Sequence, residues 1–338
     1  METQKIKTAI VILNWNGEKW LKKFLPTLIR YSKEAKIFLG DNASIDNSVK
    51  FVRESYPEIN IITNKKNYGY SKGYNFFLKQ INAEYFVLIN SDIEVTKGWL
   101  NPIITLMDSH HNIAACQPKI LDYENKGKFE YAGGSGGFID RLGYPFCRGR
   151  IFEHLEDDIK QYNDTREIFW ASGACLFVRS THFFDINGLD EDFFAHQEEI
   201  DLCWRLKNNN YKIMVEPKSK VFHVGGGTLN YNSSFKTYLN LRNNLFMLFK
   251  NLTSKSLLII LTARLILDGI AAFSFLRQKN GFEHFFAIGR AHFSFYLNIP
   301  KLIFKRRKIN HNNKLTGIMN YSIILKSKIK GIKKFSDL

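Results

Sequence analysis

The stretch Tyr85-Phe-Val-Leu-Ile-Asn-Ser-Asp-Ile-Glu-Val95 is an apolar run of strand length that stops abruptly in Asn90, Ser91 and Asp92, with Glu94 in the polar turn beyond. A carboxylate at the carboxyl end of a buried strand stands where open α/β sheets gather ligands, poised to hold a metal ion and a phosphate. Taken alone, the pattern is also ordinary Asx-turn punctuation. An earlier strand ends the same way: Lys36-Ile-Phe-Leu-Gly-Asp41-Asn-Ala-Ser-Ile-Asp46 puts Asp41 at a second terminus and leaves Asp46 to cap the helix that follows.

Outward from these two stretches, strand-length apolar runs alternate with segments of helical period up to residue 118. Lys7 to Leu13, Lys36 to Leu39, Ile59 to Thr63, Tyr85 to Asn90 and Ile113 to Gln117 read as strands. Glu18 to Tyr31 places Leu21, Phe24, Leu25 and Leu28 on one helical face, and Ser48 to Tyr56, Lys72 to Ile81 and Trp99 to Ser109 are the other helices. Such alternation predicts an α/β fold, a mostly parallel sheet flanked by helices, with Asn14, Asp41, Asn64 and Asp92 at carboxyl strand ends.

From Asp122 to Ile168 the periodicity dissolves into Gly-rich and charged text, including Gly133-Gly-Ser-Gly-Gly137, expected as a loop or β-hairpin excursion over the site. Order returns at Phe169 to Val178. Gly188 to Arg205 reads as a loop feeding a helix that starts near Gln197, Tyr211 to Glu216 as a short strand, and Lys220-Val-Phe-His-Val-Gly-Gly-Gly227 as a strand ending in His223 and a glycine turn.

The ordered set Val11-Ile-Leu-Asn-Trp-Asn-Gly17, Asp41-Asn-Ala-Ser-Ile-Asp-Asn-Ser48, Asn67-Tyr-Gly-Tyr-Ser-Lys-Gly-Tyr-Asn75, Leu88-Ile-Asn-Ser-Asp92, Ser172-Gly-Ala-Cys175, Glu198-Glu-Ile-Asp-Leu-Cys-Trp-Arg205 and His223-Val-Gly-Gly226 resembles the family 2 glycosyltransferases. Within them it is most similar to the bacterial rhamnosyltransferase-like branch that builds surface polysaccharides. The likeness spans roughly residues 7 to 230, and its strength lies in the order of seven motifs.

This resemblance implies a GT-A type fold and an inverting, metal-dependent transfer from a nucleotide-diphosphate sugar to a glycan acceptor. The leaving group is dianionic, so a divalent cation, Mn²⁺ or Mg²⁺, is expected to neutralise it, and Mn²⁺ also accepts an imidazole. Asp92 is the expected first metal ligand and His223 the second. The family usually shows Asp-x-Asp where this chain has Asn90-Ser91-Asp92, so one carboxylate is absent. Asp41 is expected to accept from the nucleobase or ribose, with Asn14 and Trp15 as the pocket wall. Asn67 to Asn75, with Gly73, lets backbone approach the nucleotide, and Lys72 faces phosphate. Glu199 is the expected general base, with Glu198 orienting it or contacting acceptor hydroxyls. Asp201 and Arg205 form a helix-face ion pair. Trp170 and His196 are open between stacking on a sugar ring and packing.

Beyond residue 230 the likeness gives out, although the pair Arg242-Asn243 resembles a feature common after the catalytic domain in this branch. Ser234 to Leu252 reads as an amphipathic helix. Ser256 to Leu276 is long enough to cross a bilayer but carries Arg264 and Asp268, which favours a helix lying in a membrane interface or buried against the domain, before a Phe-rich helix. The division is 1–230 catalytic, 231–300 helical and apolar, 301–338 a basic tail. With 45% apolar and 24% charged residues, the chain of 338 has the composition of a folded protein. Its net charge of +16 is concentrated after Lys301, where eleven Lys or Arg face the single acid Asp337, a net of +10. A basic tail suits an anionic membrane surface better than the basic stripe on folded surface that a nucleic-acid binder needs. Four dispersed cysteines fit reduced cytosolic thiols, and the short apolar run Ala9 to Leu13 reads as a strand and not an export signal. A cytoplasmic enzyme peripheral on the inner face of a bacterial membrane, with a lipid-linked or oligosaccharide acceptor, follows. The alternative is a non-catalytic membrane-associated partner that kept the fold. UDP-, dTDP- and GDP-linked donors all remain open.

Overall fold

The computed structural model describes residues 5–225, 233–278, 280–312 and 315–338. Its first part runs β1 (Ile6–Asn14), α1 (Glu18–Tyr31), β2 (Lys36–Asp41), α2 (Ser48–Ser55), β3 (Asn60–Thr63), α3 (Gly69–Leu78), β4 (Ala83–Asn90), β5 (Ile93–Val95), α4 (Leu100–Ser109) and β6 (Ile113–Asp122). Every strand and helix expected there is present. One boundary moves for a physical reason: α3 opens at Gly69 and not Lys72, because Asn67 Oδ1 accepts the Gly69 N–H at 2.8 Å and starts the first turn early.

The second part runs β7 (Gly137–Asp140), β8 (Pro145–Cys147), β9 (Arg150–Ile151), β10 (His154–Leu155), β11 (Arg166–Ile168), β12 (Cys175–Arg179), α5 (Ser180–Asp185), α6 (Glu198–Asn208), β13 (Lys212–His223), α7 (Ser234–Asn251), α8 (Ser254–Phe275), α9 (Gly281–Arg306) and β14 (Ile318–Met319). Residues 211–216 and 220–223, expected as two strands, form one. Pro217, which has no N–H to give a ladder, sits in a register shift between Glu216 and Lys220, and the strand bulges there without ending. Of the glycine turn expected after His223, Gly226 and Gly227 lie outside the described residues.

The main sheet has nine strands in the order β11-β13-β6-β12-β4-β1-β2-β3, with β5 added against β13. β3, β2, β1 and β4 are mutually parallel, β13 is parallel to β6, and β12 runs antiparallel between β4 and β6. Strand side chains alternate between two covered faces, which is why the strands read as unbroken apolar runs. Ile10 and Ile12 pack with Leu21 and Leu25 of α1 and Ile103 of α4. Ala9 and Val11 belong to the opposite core, with Phe77 of α3, Leu245 to Leu248 of α7 and Phe295 and Leu302 of α9. Each of the larger of these side chains contributes on the order of 1.5–3 kcal/mol on burial. Residue 230 thus marks a change of sequence texture, while the hydrophobic core continues across it.

Asp122 to Ile168 does form the hairpin excursion, a small sheet ordered β10-β9-β8-β7-β14. Its last strand comes from the basic tail, and Phe335 packs on Phe138, Phe146 and Tyr162. The tail is anchored by the few apolar residues spaced between its lysines.

α8 is the one helix among the described residues long and apolar enough to cross a membrane. Arg264 and Asp268, the charges within its apolar stretch, point inward. Arg264 lies 3.5 Å from Asp268, 3.7 Å over the Tyr144 ring, and donates to the Leu142 carbonyl. Leu258, Ile259, Ile266, Ile270 and Phe273 face outward, as do Phe282, Phe286 and Phe293 of α9. The two charges that counted against a plain spanning helix therefore sit on the protein side of α8.

Candidate active site

Register brings the strand ends to one edge: Asn14 pairs with Asp41 across β1 and β2, and Leu13 with Asn90 across β1 and β4. Asn14 is fully buried, and its amide donates to Asp41 Oδ1 (2.9 Å), Ser44 Oγ (3.0 Å) and Ser48 Oγ (2.9 Å). It therefore braces the β2 loop from behind, whereas Trp15 is exposed at the mouth. Asp41 also accepts from the Ser44 hydroxyl (2.5 Å) and the Ser44 N–H (3.0 Å), so three of about four acceptor sites on a carboxylate are used and one remains for a ligand. Asp46 was expected to cap α2, and it does accept the Ser48 N–H. It also accepts the Glu18 N–H at 2.9 Å, which ties the start of α1 to the same loop.

Asn67 Oδ1 accepts from Gly69 and from Asn42 Nδ2, closing the loop between β3 and α3. Gly69 has φ +73°, and a Cβ there would lie 2.4 Å from the Phe194 carbonyl oxygen, so both backbone hand and space require glycine. Gly73 packs α3 close, since a Cβ would meet Asn42 and Leu13 at 3.0 and 3.1 Å. Lys72, expected at a phosphate, has its ammonium 3.8 Å from Glu191 and over the Tyr68 ring, half exposed. Trp170 is a packing residue: buried, it donates to the Phe138 carbonyl and fills the space left by Gly137.

Asp92 and His223 meet. Asp92 Oδ1 is 3.2 Å from His223 Nε2, and His223 Nδ1 is 3.2 Å from Glu130 Oε2, with all three residues about 95% buried or more. Burial alone would lower the His223 imidazole, but the carboxylates of Glu130 and Asp92 outweigh it and hold it well above the usual histidine range. Burial would likewise raise Asp92, and the charge of His223 brings it below the ordinary carboxylate value. Two donors on one octahedral cation with bonds of about 2.1 Å lie about 3 Å apart, so this pair fits a shared metal ion. Glu130, on the far nitrogen, has the place of the carboxylate that orients a metal-bound imidazole. No group of three His, Cys, Asp or Glu among the described residues encloses a metal position, so the remaining coordination would come from phosphate oxygens and water.

Glu198 and Glu199 open α6. Across the sheet edge, Asn90 N–H donates to the Ala174 carbonyl, Tyr70 Oη donates to the Gly173 carbonyl at 2.7 Å, and a Cβ on Gly173 would lie 3.6 Å from Glu199 Cβ. The Ser172–Ala174 turn thus joins the acid pair to the end of β4. One oxygen of each carboxyl is enclosed with no hydrogen-bond partner. Burial, reinforced by the neighbouring Glu199, pushes Glu198 well above the carboxylate range, and burial pushes Glu199 up to about 7. Two adjacent acids in unequal surroundings let one stay protonated while the other titrates near neutrality. His196 is lowered to about 4 by burial and the charge of Lys236, and stays neutral. Asp201 and Arg205 do pair at 2.8 Å, but inside the protein: Asp201 also accepts from Lys250 and Asn251 of α7.

Two residues at this edge escaped the sequence reading. Glu130 lies in Gly-rich text with no periodicity to flag it. Asn42, within a quoted motif, holds β3 and α3 together by donating to Asn67 and Gly69 and accepting from Asn64.

The family Glycosyl transferase family 2 matches residues 9–179. The chain is 26% identical over 255 residues to the low-salt glycan biosynthesis hexosyltransferase Agl10 of Haloferax volcanii, covering 74% of this chain and 77% of that protein. It is 22% identical to the N-acetylglucosaminyl-diphospho-decaprenol L-rhamnosyltransferase of Mycobacterium tuberculosis, covering 63% and 75%. Among solved structures, GalNAc-T7 with UDP, GalNAc and Mn²⁺ superposes with a TM-score of 0.57 at 14% identity over 75% of this chain; the chain spans only 49% of that protein, and the likeness is one of fold. With a GT-A-like sheet, seven ordered motifs and a family match over half its length, the chain belongs to glycosyltransferase family 2.

Proposed function

We propose that the protein transfers a sugar, with inversion, from a nucleotide-diphosphate sugar to a hydroxyl of a lipid-linked glycan acceptor in cell-surface polysaccharide synthesis. Asp92 and His223 would hold the divalent cation, Mn²⁺ or Mg²⁺, which would neutralise the departing diphosphate. Asp41, Trp15 and the segment from Asn67 through the first turn of α3 to Gly73, Lys72 included, form the nucleotide side, with Asn14 bracing it. Glu199 Oε takes the proton of the acceptor hydroxyl as that oxygen attacks the anomeric carbon from the face opposite the diphosphate, and Glu198, protonated, donates a hydrogen bond to the acceptor or to the base. The observation that carries this reading is the placement of the Asp92–His223 pair and the Glu198–Glu199 pair about one sheet edge, linked through Asn90 and the Ser172–Ala174 turn. Similarity to a diphospho-decaprenol rhamnosyltransferase and to a fold neighbour with Mn²⁺ supports the acceptor and the ion.

A panel of nucleoside diphosphates with and without Mn²⁺ tests it by melting temperature. A ligand at 100 times its Kd should stabilise the protein by about 2.7 kcal/mol, and silence from the whole panel would sink the reading. A fold-retaining partner without catalysis predicts no turnover of any labelled nucleotide sugar.

Attachment to the inner face of the cytoplasmic membrane is supported by the outward apolar faces of α8 and α9 and by the exposed Arg307 and Lys308 just past α9. The protein should co-sediment with vesicles containing anionic lipid. Phe273→Glu with Phe286→Glu should lower that partitioning at least about tenfold, because two buried aromatic side chains are lost from the lipid side. Unchanged binding would place the contact elsewhere.

A further inference from the structure

The segment that delivers the acid pair is held in a conformation that amino acids other than glycine rarely adopt. Phe194, His196 and Gln197 have φ of 60°, 70° and 70°, and Gln197 is the residue on which α6 starts, with no side-chain cap of its own. Such a run persists only where surrounding structure over-determines it. Here one side chain makes most of the contacts to the carbonyls next to the acid pair. Asn243 of α7, fully buried, aims its amide NH₂ at three carbonyl oxygens of this segment, those of Phe193, Ala195 and His196, each at 2.8 Å. Arg242 Nε donates to Asn243 Oδ1 at 2.9 Å and so sets which way the amide faces, while Arg242 Nη2 donates to the Asp192 and Phe193 carbonyls. From the opposite side Tyr70 N–H donates to the Phe194 carbonyl at 2.6 Å.

We propose that Asn243 is a positioning residue for Glu199: its amide fixes the carbonyls of Phe193, Ala195 and His196, and these set the direction of the first turn of α6 and with it the carboxylate that faces the acceptor. The inference rests on the assignment of Glu199 as base and extends it to a residue in the C-terminal helices. The chemistry selects asparagine. One end must accept from a guanidinium while the other donates to several carbonyls, so aspartate would set a negative oxygen against three others, and alanine would leave all three carbonyls buried without this donor. Ion pairs from Lys250 and Lys305 to Asp190, and from Lys301 and Lys305 to Asp192, anchor the same segment a few residues upstream, but none reaches the carbonyls next to the acid pair.

Steady-state kinetics of the full chain test it. Asn243→Ala should lower kcat about 100-fold, the scale of a base displaced by about 1 Å, with the donor KM changed less than threefold. A purely structural role predicts that relieving the backbone restores everything. The double variant Asn243→Ala, Gln197→Gly separates the two, since glycine accepts the positive φ without strain. Its melting temperature should recover toward the parent while kcat stays low. Recovery of kcat together with stability, or an Asn243→Ala enzyme within threefold of the parent, would overturn the proposal. If alanine prevents folding, Asn243→Ser, with one donor in place of the amide, should still fall about tenfold in kcat, and parent-like kcat there would equally overturn it. Glu199→Gln measured alongside keeps the two ideas apart: an inactive Glu199→Gln with a fully active Asn243→Ala refutes only the positioning role, whereas an active Glu199→Gln refutes the base itself.

Discussion

Glu199→Gln is expected to abolish most transfer, lowering kcat about 10³-fold, within the range that a positioned general base contributes. The substitution keeps shape and packing and removes only the ability to take a proton. Its effect on stability runs the other way. Burial lifts the Glu199 carboxyl from 4.5 to about 7, so the folded protein holds a proton that the unfolded chain has already lost across that interval. Folding stability from this group is full below pH 4.5 and falls as pH rises toward 7. The glutamine variant has no such loss, so it should melt at the parent's temperature at pH 4 and above it at pH 8. In the parent, kcat/KM should rise with pH along a limb of apparent pKa near 7, a value that belongs to the Glu198–Glu199 pair. Nucleoside diphosphate release against pH, and melting curves at both pH values, check these outcomes. A Glu199→Gln enzyme with parental kcat would remove this residue from the chemistry.

Asp92→Asn and His223→Ala carry the second large effect. Each removes one of the two proposed protein ligands at a site that offers no third from the described His, Cys, Asp and Glu, so each should eliminate Mn²⁺-dependent stabilisation by nucleoside diphosphates. Activity should fall about 10²–10³-fold, since a Lewis acid on a departing diphosphate is worth several kcal/mol. Glu130→Gln is graded differently. It leaves both ligands in place and weakens only the orientation of the His223 ring, for which about 10- to 100-fold is typical. That ordering, with Asp92 and His223 severe and Glu130 milder, is readable by titrating Mn²⁺ into each variant. Metal-dependent nucleotide binding that survives Asp92→Asn would disprove the shared site.

The alternation of apolar strands and helices up to residue 118, and the polar stops at Asn14, Asp41 and Asp92, were legible because each is a local property: a period of two or 3.6 and the residue that breaks it. Asp92, Glu199 and His223 could be nominated from motifs in order. Their partners could not. Glu130 stands in aperiodic Gly-rich text, and Asp46, legible as the cap of its own helix, also accepts from the start of α1, which nothing local announces. Asp201, which reads as one half of a helix-face i,i+4 pair, does pair with Arg205 but is also buried beside Lys250 of α7.

The chain's own text determined the sheet, its ligand edge and the identity of the acids there, because side-chain periodicity and strand termination act over a few residues. Only tertiary structure decided that His223 stands between Asp92 and Glu130, that Arg264 and Asp268 of α8 turn inward and leave an apolar outer face, and that α7 reaches back to clamp the loop before Glu198. Those arrangements come from strand order and helix docking, which bring together residues far apart in the chain, and hydrogen bonds between such residues leave no periodic mark in the segments that make them.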